Sequence, residues 1–475
     1  MWPNSWLQYQ AKLQPERPAF YWKDKSWSFS ALNQHVQAYA AYYQQKLPKS
    51  IQRVALFSEN TDRMLFSILA LWELGIEIQF LNTRLTTEEL LFQLTDAQTI
   101  IVISEKQVGQ VSTISFPLTS ELQIISPTDY VDDGYQEDQI ASIMYTSGTT
   151  GQPKGVPQTF GNHRASAEAT QENMQITSAD CWLCPTALYH ISGLSIVLRM
   201  LRLGMSLHLY EKFVPEQLVH DILSGQGTIA SVVSKMLTDC LPLLEATASF
   251  RYFLLGGGPI SEAILQQCEA KGLRVIQSFG MTETCSQVIA MPPEKAQEKL
   301  GSTGIPLKEV SLKLERGEIL LKGPSIVTNY LNHRGENAWD NEGWFHTGDL
   351  GKIDEDGYLY VLSRMSELII SGGENIYPAE VEKVLLQHPA IQEAVVVGQE
   401  DVTWGQVPVA YLKINQSLTL SEVTQSLQVL AKYKRPKAFF VVKTIPKTAS
   451  GKPLKRKFLT EERVNFIEYQ LNDIR

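Results

Sequence analysis

The sequence predicts an α/β fold: a large N-terminal domain of parallel-rich sheets with helices plus a β-rich subdomain, then a small α+β C-terminal domain. Three observations carry this expectation. Short apolar runs (RVALFS at 53, RYFLLG at 251, RVIQSFG at 274) alternate with segments of helical periodicity, the pattern that builds parallel sheets. Glycine-bearing segments follow strand-like runs, where open α/β sheets place their ligands. From about Gly317 the texture changes to short strands and tight turns, as in GEILLKG, DEDGYLYVL and SRMSELIISGG.

A chain of 475 residues is too long for one core and implies two to four domains or subdomains. With 44% apolar and 20% charged residues it has an ordinary soluble composition, and a net charge of −9 gives no general reason to bind nucleic acid or anionic membrane. Any anionic ligand must be held by local donors. The longest apolar candidate, MLFSILALWELGI, is broken by Glu73, so no membrane span is expected. MWPNSWLQYQ lacks the basic and apolar regions of a secretion signal, which points to a cytoplasmic protein. Of five cysteines only Cys181 and Cys184 form a CxxC, and without a second close pair they read as reduced structural thiols.

The elements follow in order. QIASIMY reads as a short buried strand that runs into YTSGTTGQPKG, Tyr145–Gly155, where seven of eleven residues are Gly, Ser or Thr. SEAILQQCEAKG predicts a helix with Ala263, Ile264 and Cys268 near one face, Ser261 as cap and Gly272 beyond its end. Polar residues at Ser363–Glu367 separate two strand-like runs and set the domain boundary, giving domains 1–364 and 365–475. The second holds a helix AEVEKVLLQH, strands EAVVVG and VPVAYLKI, a helix near SEVTQSLQVLAKY, a strand KAFFVV and a basic tail. No internal repeat is visible.

Six segments can carry chemistry. In YTSGTTGQPKG the glycines open backbone N–H groups to an anion, Thr146, Ser147, Thr149 and Thr150 add hydroxyls, and Lys154 adds charge. The spacing is not that of the NTPase P-loop, and a Ser/Thr/Gly linker has the same composition. LLGGGP, Leu254–Pro259, lets a flat ligand approach the backbone closely. SFGMTET, Ser278–Thr284, can stack a base, bond phosphate and hold Mg²⁺ through Glu283, or be a capped loop with Glu283 solvated. WFHTGDL puts Asp349 in a turn after a short strand, for ribose hydroxyls or a surface Asx-turn. PKTASGKPLKRK places Lys452 in a Ser-Gly turn of what could be a solvated basic tail. SGGENIYPAEVE, Ser371–Glu382, combines a Gly-Gly turn with a Pro-started helix.

Taken in order from Tyr145 to Lys452, these segments resemble the adenylate-forming (AMP-binding) superfamily of acyl-CoA synthetases, luciferases and peptide-synthetase adenylation domains. The resemblance implies a mobile C-terminal domain, with ATP, Mg²⁺ and coenzyme A as the small molecules used. It assigns Thr146, Ser147, Gly148, Thr149, Thr150, Gly151 and Lys154 to the pyrophosphate of ATP. Gly256, Gly257 and Gly258 line adenine, while Ser278, Phe279, Gly280, Met281 and Thr282 contact AMP. Glu283 and Thr146 hold the metal, and Asp349 and Arg364 hold the ribose or phosphate. The catalytic residues it implies are Lys452, which neutralises charge at the α-phosphate, with Thr282, Glu283 and His190. Gly373 lines the pantetheine tunnel, and Ser366 takes the hinge position where many relatives have Asp or Lys.

Two further segments, VPQTFGNHRASA and PTALYHISGLSIVLRMLRLG, together with MTETCSQ and SGGENIYPAEVE, resemble the 2-succinylbenzoate–CoA ligases of menaquinone synthesis. That resemblance puts His190, Ser192, Arg199 and Gly257 around the acid. 2-Succinylbenzoate has a reacting succinyl carboxylate and an aromatic one that must be held. Arg199 lies nine residues beyond His190 on a predicted helix and is the expected partner of the second, its head partly buried among Leu198, Met200 and Leu201. His190 is either an aromatic gate that leaves the pocket for CoA or a core residue. The alternatives are a CoA ligase for another aryl or fatty acid and a non-catalytic nucleotide-binding protein. A homo-oligomer is compatible with the sequence.

Overall fold

The protein is described by a computed structural model covering residues 5–122, 135–146, 152–245, 247, 249–258, 260, 262–447 and 453–471. Two compact units emerge. The first is Met1–Lys313 with Leu320–His346 and Gly357–Leu359; the second is Leu314–Ile319, Thr347–Asp356 and Tyr360–Arg475.

The larger sheet of the first unit runs in the order Ile305–Pro306, Ser286–Ala290, Val275–Met281, Tyr252–Leu255, Ile229–Val232, Cys181–Cys184, Ser206–Leu209, Pro18–Trp22, Lys25–Ser28. From Val275–Met281 to Pro18–Trp22 its neighbours are parallel, and its flanking strands pair antiparallel. The strands Ile229–Val232 and Tyr252–Leu255 are buried at every position, as unbroken apolar runs covered on both faces must be. A second sheet has the order Ser112–Ile114, Ile101–Ile103, Arg53–Leu56, Glu77–Phe80, Ile140–Thr146, Lys154–Thr159, parallel except for its last pair. The three runs expected as strands at 53, 251 and 274 are strands.

The helix Asp62–Glu73 is buried from Met64 to Glu73, apolar nearly all round because protein surrounds it. Glu73, which breaks the apolar run, is fully buried and accepts from Ser5 Oγ (2.5 Å) and Gln8 Nε2 (3.0 Å). Trp72 donates its indole N–H to the Ala141 carbonyl at 2.8 Å and meets Phe160 edge-on at 5.6 Å. This fastens the helix to the strand that leads into the glycine-rich loop. The helix Glu262–Ala270 buries Leu265 and Cys268, with Ile264 packed alongside. Ala263, expected on that face, is exposed: Leu265, a larger apolar group, rotates the buried stripe towards itself. Gly272 follows in the left-handed region at φ +71°, and Ser261 lies outside the described residues.

Strands Ser311–Glu315, Glu318–Lys322, Phe345–Ile353 and Leu359–Arg364 form a third sheet in that order. A fourth sheet, in the second unit, runs Glu374–Ile376, Ile369–Ser371, Gly405–Ile414, Ala438–Val442, Ile467–Gln470, with Ile391–Asp401 also paired to Gly405–Ile414. Helices Pro378–Leu385 and Leu420–Ser426 supply Val381, Leu385 and Val423 to its core. All five cysteines are free, and burial pushes the thiols of Cys181 and Cys184 up to about 12, so they stay protonated. Among the described residues no helix is long and apolar enough to cross a membrane.

Trp72→Ala should cost about 3–5 kcal/mol of unfolding free energy by urea circular dichroism, and Trp72→Phe distinctly less. An unchanged urea midpoint for the alanine variant would show that Trp72 does not hold this core.

Candidate active site

The glycine-rich loop joins two strands of a hairpin in which Thr146 pairs with Lys154. Ser147, Gly148, Thr149, Thr150 and Gly151 lie outside the described residues. Beside the hairpin, the Val275–Met281 strand ends in the single turn Thr282–Thr284, which buries Glu283. The turn is pinned from both ends. Met281 N–H donates to Thr284 Oγ1 (2.9 Å), and Gln158 Nε2 donates to the Thr282 carbonyl (2.6 Å). Thr146 Oγ1 donates to Glu283 Oε1 at 3.4 Å, and Tyr330 OH donates to the same oxygen at 2.8 Å. The two residues expected to hold a metal are therefore neighbours. One carboxylate and one hydroxyl are hard oxygen donors that suit Mg²⁺, whose remaining ligands are water and phosphate. Among the described residues no group of three His, Cys, Asp or Glu could hold a metal alone. The Lys154 ammonium lies 4.9 Å over the Tyr330 ring.

The glycine cluster sits where Tyr252–Leu255 ends. Gly256 N–H donates to the Val232 carbonyl (3.3 Å), Gly257 has φ +85°, and a Cβ on Gly258 would meet nothing within 4 Å. Open backbone at a strand end is what a flat ligand needs. Ser278 Oγ donates to the Leu255 carbonyl (2.9 Å), so Ser278 stands beside the cluster; Phe279 and Met281 are half-buried. Gly280 has an internal reason to be glycine: a Cβ there would lie 2.1 Å from the Ser286 carbonyl oxygen and 2.6 Å from Gln287 Cα, at a bulge of the strand pairing.

Ser192, Ser195 and Arg199 fall at spacings of three and four on one face of the helix Ile191–Leu203, which runs from an exposed Ser192 into the core. Ser192 is exposed, Ser195 is buried and Arg199 is 1% exposed, wholly rather than partly buried. Arg199 Nη2 donates to Gln287 Oε1 (2.9 Å) and Ser286 Oγ (3.1 Å), and the guanidinium stands 4.9 Å over Trp182. Its Nε has no partner, and no carboxylate pairs with it among the described residues. Burial of this unbalanced cation pulls it down to about 9. Arg202, one turn on, instead pairs with Glu168 at 3.0 Å.

Two histidines flank this region, both neutral at pH 7. Burial, then the Arg199 charge, pull His163 down to about 3; burial, then Arg84, pull His190 down to about 4. His190 is half-buried at the helix start, its ring 4.8 Å from Tyr189 at 63°. His163 Nε2 is 2.9 Å from Ser142 Oγ, whose proton goes to Gln158 Oε1 at 2.6 Å. Nε2 therefore carries the imidazole proton, and the relay His163–Ser142–Gln158 ends on the Thr282 carbonyl.

In the second unit Asp349 Oδ1 pairs with Arg364 Nε at 2.7 Å, bringing together the two residues expected at the ribose. Asp349 is not in a turn after a short strand: it lies inside the nine-residue strand Phe345–Ile353. Gly348, φ +70°, bends that strand without ending it, its N–H donating to Glu318 Oε1 (3.0 Å). Gly373, φ +88°, is at the tip of the hairpin Ile369–Ser371/Glu374–Ile376 with open space where a Cβ would be. Ser366 lies in the turn Met365–Glu367. Lys452 is outside the described residues. Three residues on, Lys455 is no solvated tail residue: it is largely buried between Glu367 (2.6 Å) and Glu382 (2.9 Å), and Glu382 also accepts Val396 N–H (2.7 Å).

Sequence reasoning missed Tyr330, the Ser142–Gln158 pair and the Ser286–Gln287 pair. The last two had a signal, since polar side chains on strands that otherwise bury apolar ones need internal partners.

The AMP-binding enzyme family matches residues 7–331, and the AMP-binding enzyme C-terminal domain matches residues 380–452. The chain is 52% identical to the 2-succinylbenzoate–CoA ligase of Enterococcus faecalis, over 98% of this chain and 99% of that protein. It is 42% identical to the enzyme of the same name from Bacillus subtilis, over 95% and 96%. Among solved structures it resembles the Bacillus subtilis o-succinylbenzoate CoA synthetase in complex with the acyl-adenylate intermediate OSB-AMP (TM-score 0.91, 40% identity, 96% of this chain and 98% of that one). It also resembles that synthetase in complex with ATP and magnesium ion (TM-score 0.90, 40% identity, 95% and 98%). A buried carboxylate beside a Ser/Thr/Gly hairpin, an open glycine turn at a strand end and an Asp–Arg pair thus stand in a chain matched along most of its length, and the chain belongs to the AMP-binding enzyme family.

Proposed function

We propose that the protein is an acid–thiol ligase that joins 2-succinylbenzoate to coenzyme A through an acyl-adenylate, releasing AMP and pyrophosphate, in menaquinone synthesis. The observation that carries the choice of acid is Arg199, a fully buried cation with only neutral partners among the described residues. A second carboxylate on the substrate supplies the missing charge. Benzoate, coumarate or a fatty acid, with one carboxylate, would leave the guanidinium unbalanced when its reacting group is at ATP. A non-catalytic nucleotide-binding protein would have no need of Glu283, Asp349 and Lys452 together.

In the first half-reaction the succinyl carboxylate attacks the α-phosphorus of ATP and pyrophosphate leaves, forming the mixed anhydride. Thr146, Lys154 and the hydroxyls of residues 147–151 hold the departing pyrophosphate. Magnesium, when bound through Glu283 and Thr146, offsets phosphate charge. Lys452 stabilises the negative charge that builds at the α-phosphate, Gly256–Gly258 line the adenine, and Asp349 and Arg364 serve the ribose. In the second half-reaction the CoA thiol attacks the anhydride carbonyl and AMP leaves, with Gly373 lining the pantetheine path. His190 and Ser192 sit at the mouth of the acid site, and Gly257 borders it. The functional division falls at 364/365 with Ser366 as hinge. ATP and CoA place the reaction in the cytoplasm, and sedimentation of the purified protein tests for a homo-oligomer.

Across a panel of acids, CoA-dependent AMP release should be fastest with 2-succinylbenzoate; parity with benzoate or fatty acids would overturn the choice of acid. Arg199→Met should raise KM for 2-succinylbenzoate at least about 30-fold, the equivalent of about 2 kcal/mol for one partner of a buried charge pair. It should leave thermal stability unchanged or higher, because an unpaired buried charge is removed. An unchanged KM would remove Arg199 from the site. Lys452→Ala should slow adenylate formation about 10²- to 10³-fold while sparing thioester formation from supplied acyl-adenylate; equal loss in both steps would contradict its assigned role.

A further inference from the structure

We propose that Tyr330 is a positioning residue that sets both the magnesium carboxylate, Glu283, and the phosphate-hairpin cation, Lys154, from a single ring. The proposal rests on the reading of Glu283 and Lys154 as contacts of Mg·ATP.

Tyr330 is 7% exposed, and its hydroxyl donates to Glu283 Oε1 at 2.8 Å, shorter than the 3.4 Å from Thr146 to the same atom. Nearby, Val327 N–H donates to the Glu283 main-chain carbonyl at 2.9 Å, so one short segment holds this residue by backbone and side chain. The face of the Tyr330 ring receives the Lys154 ammonium at 4.9 Å. Room for that ammonium depends on Gly335, which has φ +77°: a Cβ there would lie 2.8 Å from Lys154 Nζ and 3.1 Å from Tyr330 Cδ2. Close packing continues into the hairpin, where a Cβ on Gly155 would come within 2.8 Å of Leu331 Cδ1. The ring itself is fixed by Trp339, edge-on at 5.1 Å and 63°, and by packing with Val156, Cys285 and Val327.

A buried carboxylate must be desolvated before it meets a cation, and a hydroxyl donor offsets part of that cost while fixing which way the carboxylate faces. A lysine on a flexible stem loses entropy when phosphate immobilises it; a ring that already holds the ammonium reduces that loss. Hydroxyl and ring are separate functions of one side chain, so they can be removed separately. Tyr330→Phe keeps the ring and deletes the donor, whereas Tyr330→Leu deletes both.

The test is calorimetric binding of ATP to the full-length protein, without acid or CoA, in EDTA and in excess Mg²⁺. In the parent protein Mg²⁺ should tighten ATP binding. Tyr330→Phe should bind metal-free ATP like the parent but lose about tenfold of the magnesium-dependent gain, as expected for a hydrogen bond to a charged group. Tyr330→Leu should also weaken metal-free ATP binding, by about threefold or more. Thermal melts of the isosteric Phe variant check that it is folded. A Phe variant with the full magnesium gain, or with equal losses with and without metal, would overturn the proposal while leaving Glu283 as metal ligand. A parent protein with no magnesium gain would overturn both.

Discussion

A cation buried without a counter-charge among the described residues is the constraint around which the polar interior of the first unit is arranged. Arg199 is held at the end of a helix face by two neutral acceptors and one indole ring, which together compensate only part of the several kcal/mol that desolvating a charge costs. Those partners are tied down in turn. Gln287 Nε2 donates to Thr170 Oγ1 (2.9 Å), Thr170 to the Ser166 carbonyl (2.8 Å), and Ser166 Oγ to the Cys285 carbonyl (2.8 Å). A second polar path, His163–Ser142–Gln158, closes on Thr282. Both paths converge on residues 282–287, and Glu283 is within that stretch. Cys285 and Ser286 there take positive φ (53° and 107°), which a non-glycine residue sustains only when its surroundings over-determine it. The residues that meet Arg199 and the carboxylate of Glu283 thus lie on one short turn held by two hydrogen-bond paths.

The second unit solves a different electrostatic problem by pairing. Asp349 has its arginine, and Lys455 has two glutamates, one next to Ser366 and one on the helix that follows the Gly373 hairpin. Lys455 and Glu382 are both largely buried, and removing one partner of such a pair would leave an uncompensated charge, which fixes that cluster within the unit. Arg199 is the contrast, a buried cation whose hydrogen-bond partners are neutral.

Much of the fold was legible because buried strands write themselves as apolar runs, and those at 53, 251 and 274 are where their sequences place them. Glycines were harder. The TGD sequence reads as a turn, yet Gly348 bends a strand that continues five residues beyond it, to Ile353. Gly280 reads as a ligand contact, and the backbone of a neighbouring strand independently forbids a side chain there, a requirement no local sequence pattern reveals. Arg199 could be suspected from its apolar flanks, while the absence of a carboxylate beside it among the described residues is a tertiary fact. Tyr330 left no local trace, because its partners lie at Glu283 and Lys154, far away in the chain. Helix faces were shifted by about a residue where a larger apolar group competed, as Leu265 did with Ala263.

The most direct measurement deletes the charge from each side in turn. 4-Oxo-4-phenylbutanoate is 2-succinylbenzoate without its aromatic carboxylate, and CoA-dependent AMP release with both acids by the parent and Arg199→Met proteins makes a double-mutant cycle across the pair. The expected result is a kcat/KM at least about 30-fold higher for 2-succinylbenzoate with the parent protein, and a difference that nearly vanishes with the variant. A preference of the same size in both proteins would contradict the pairing of Arg199 with the second carboxylate.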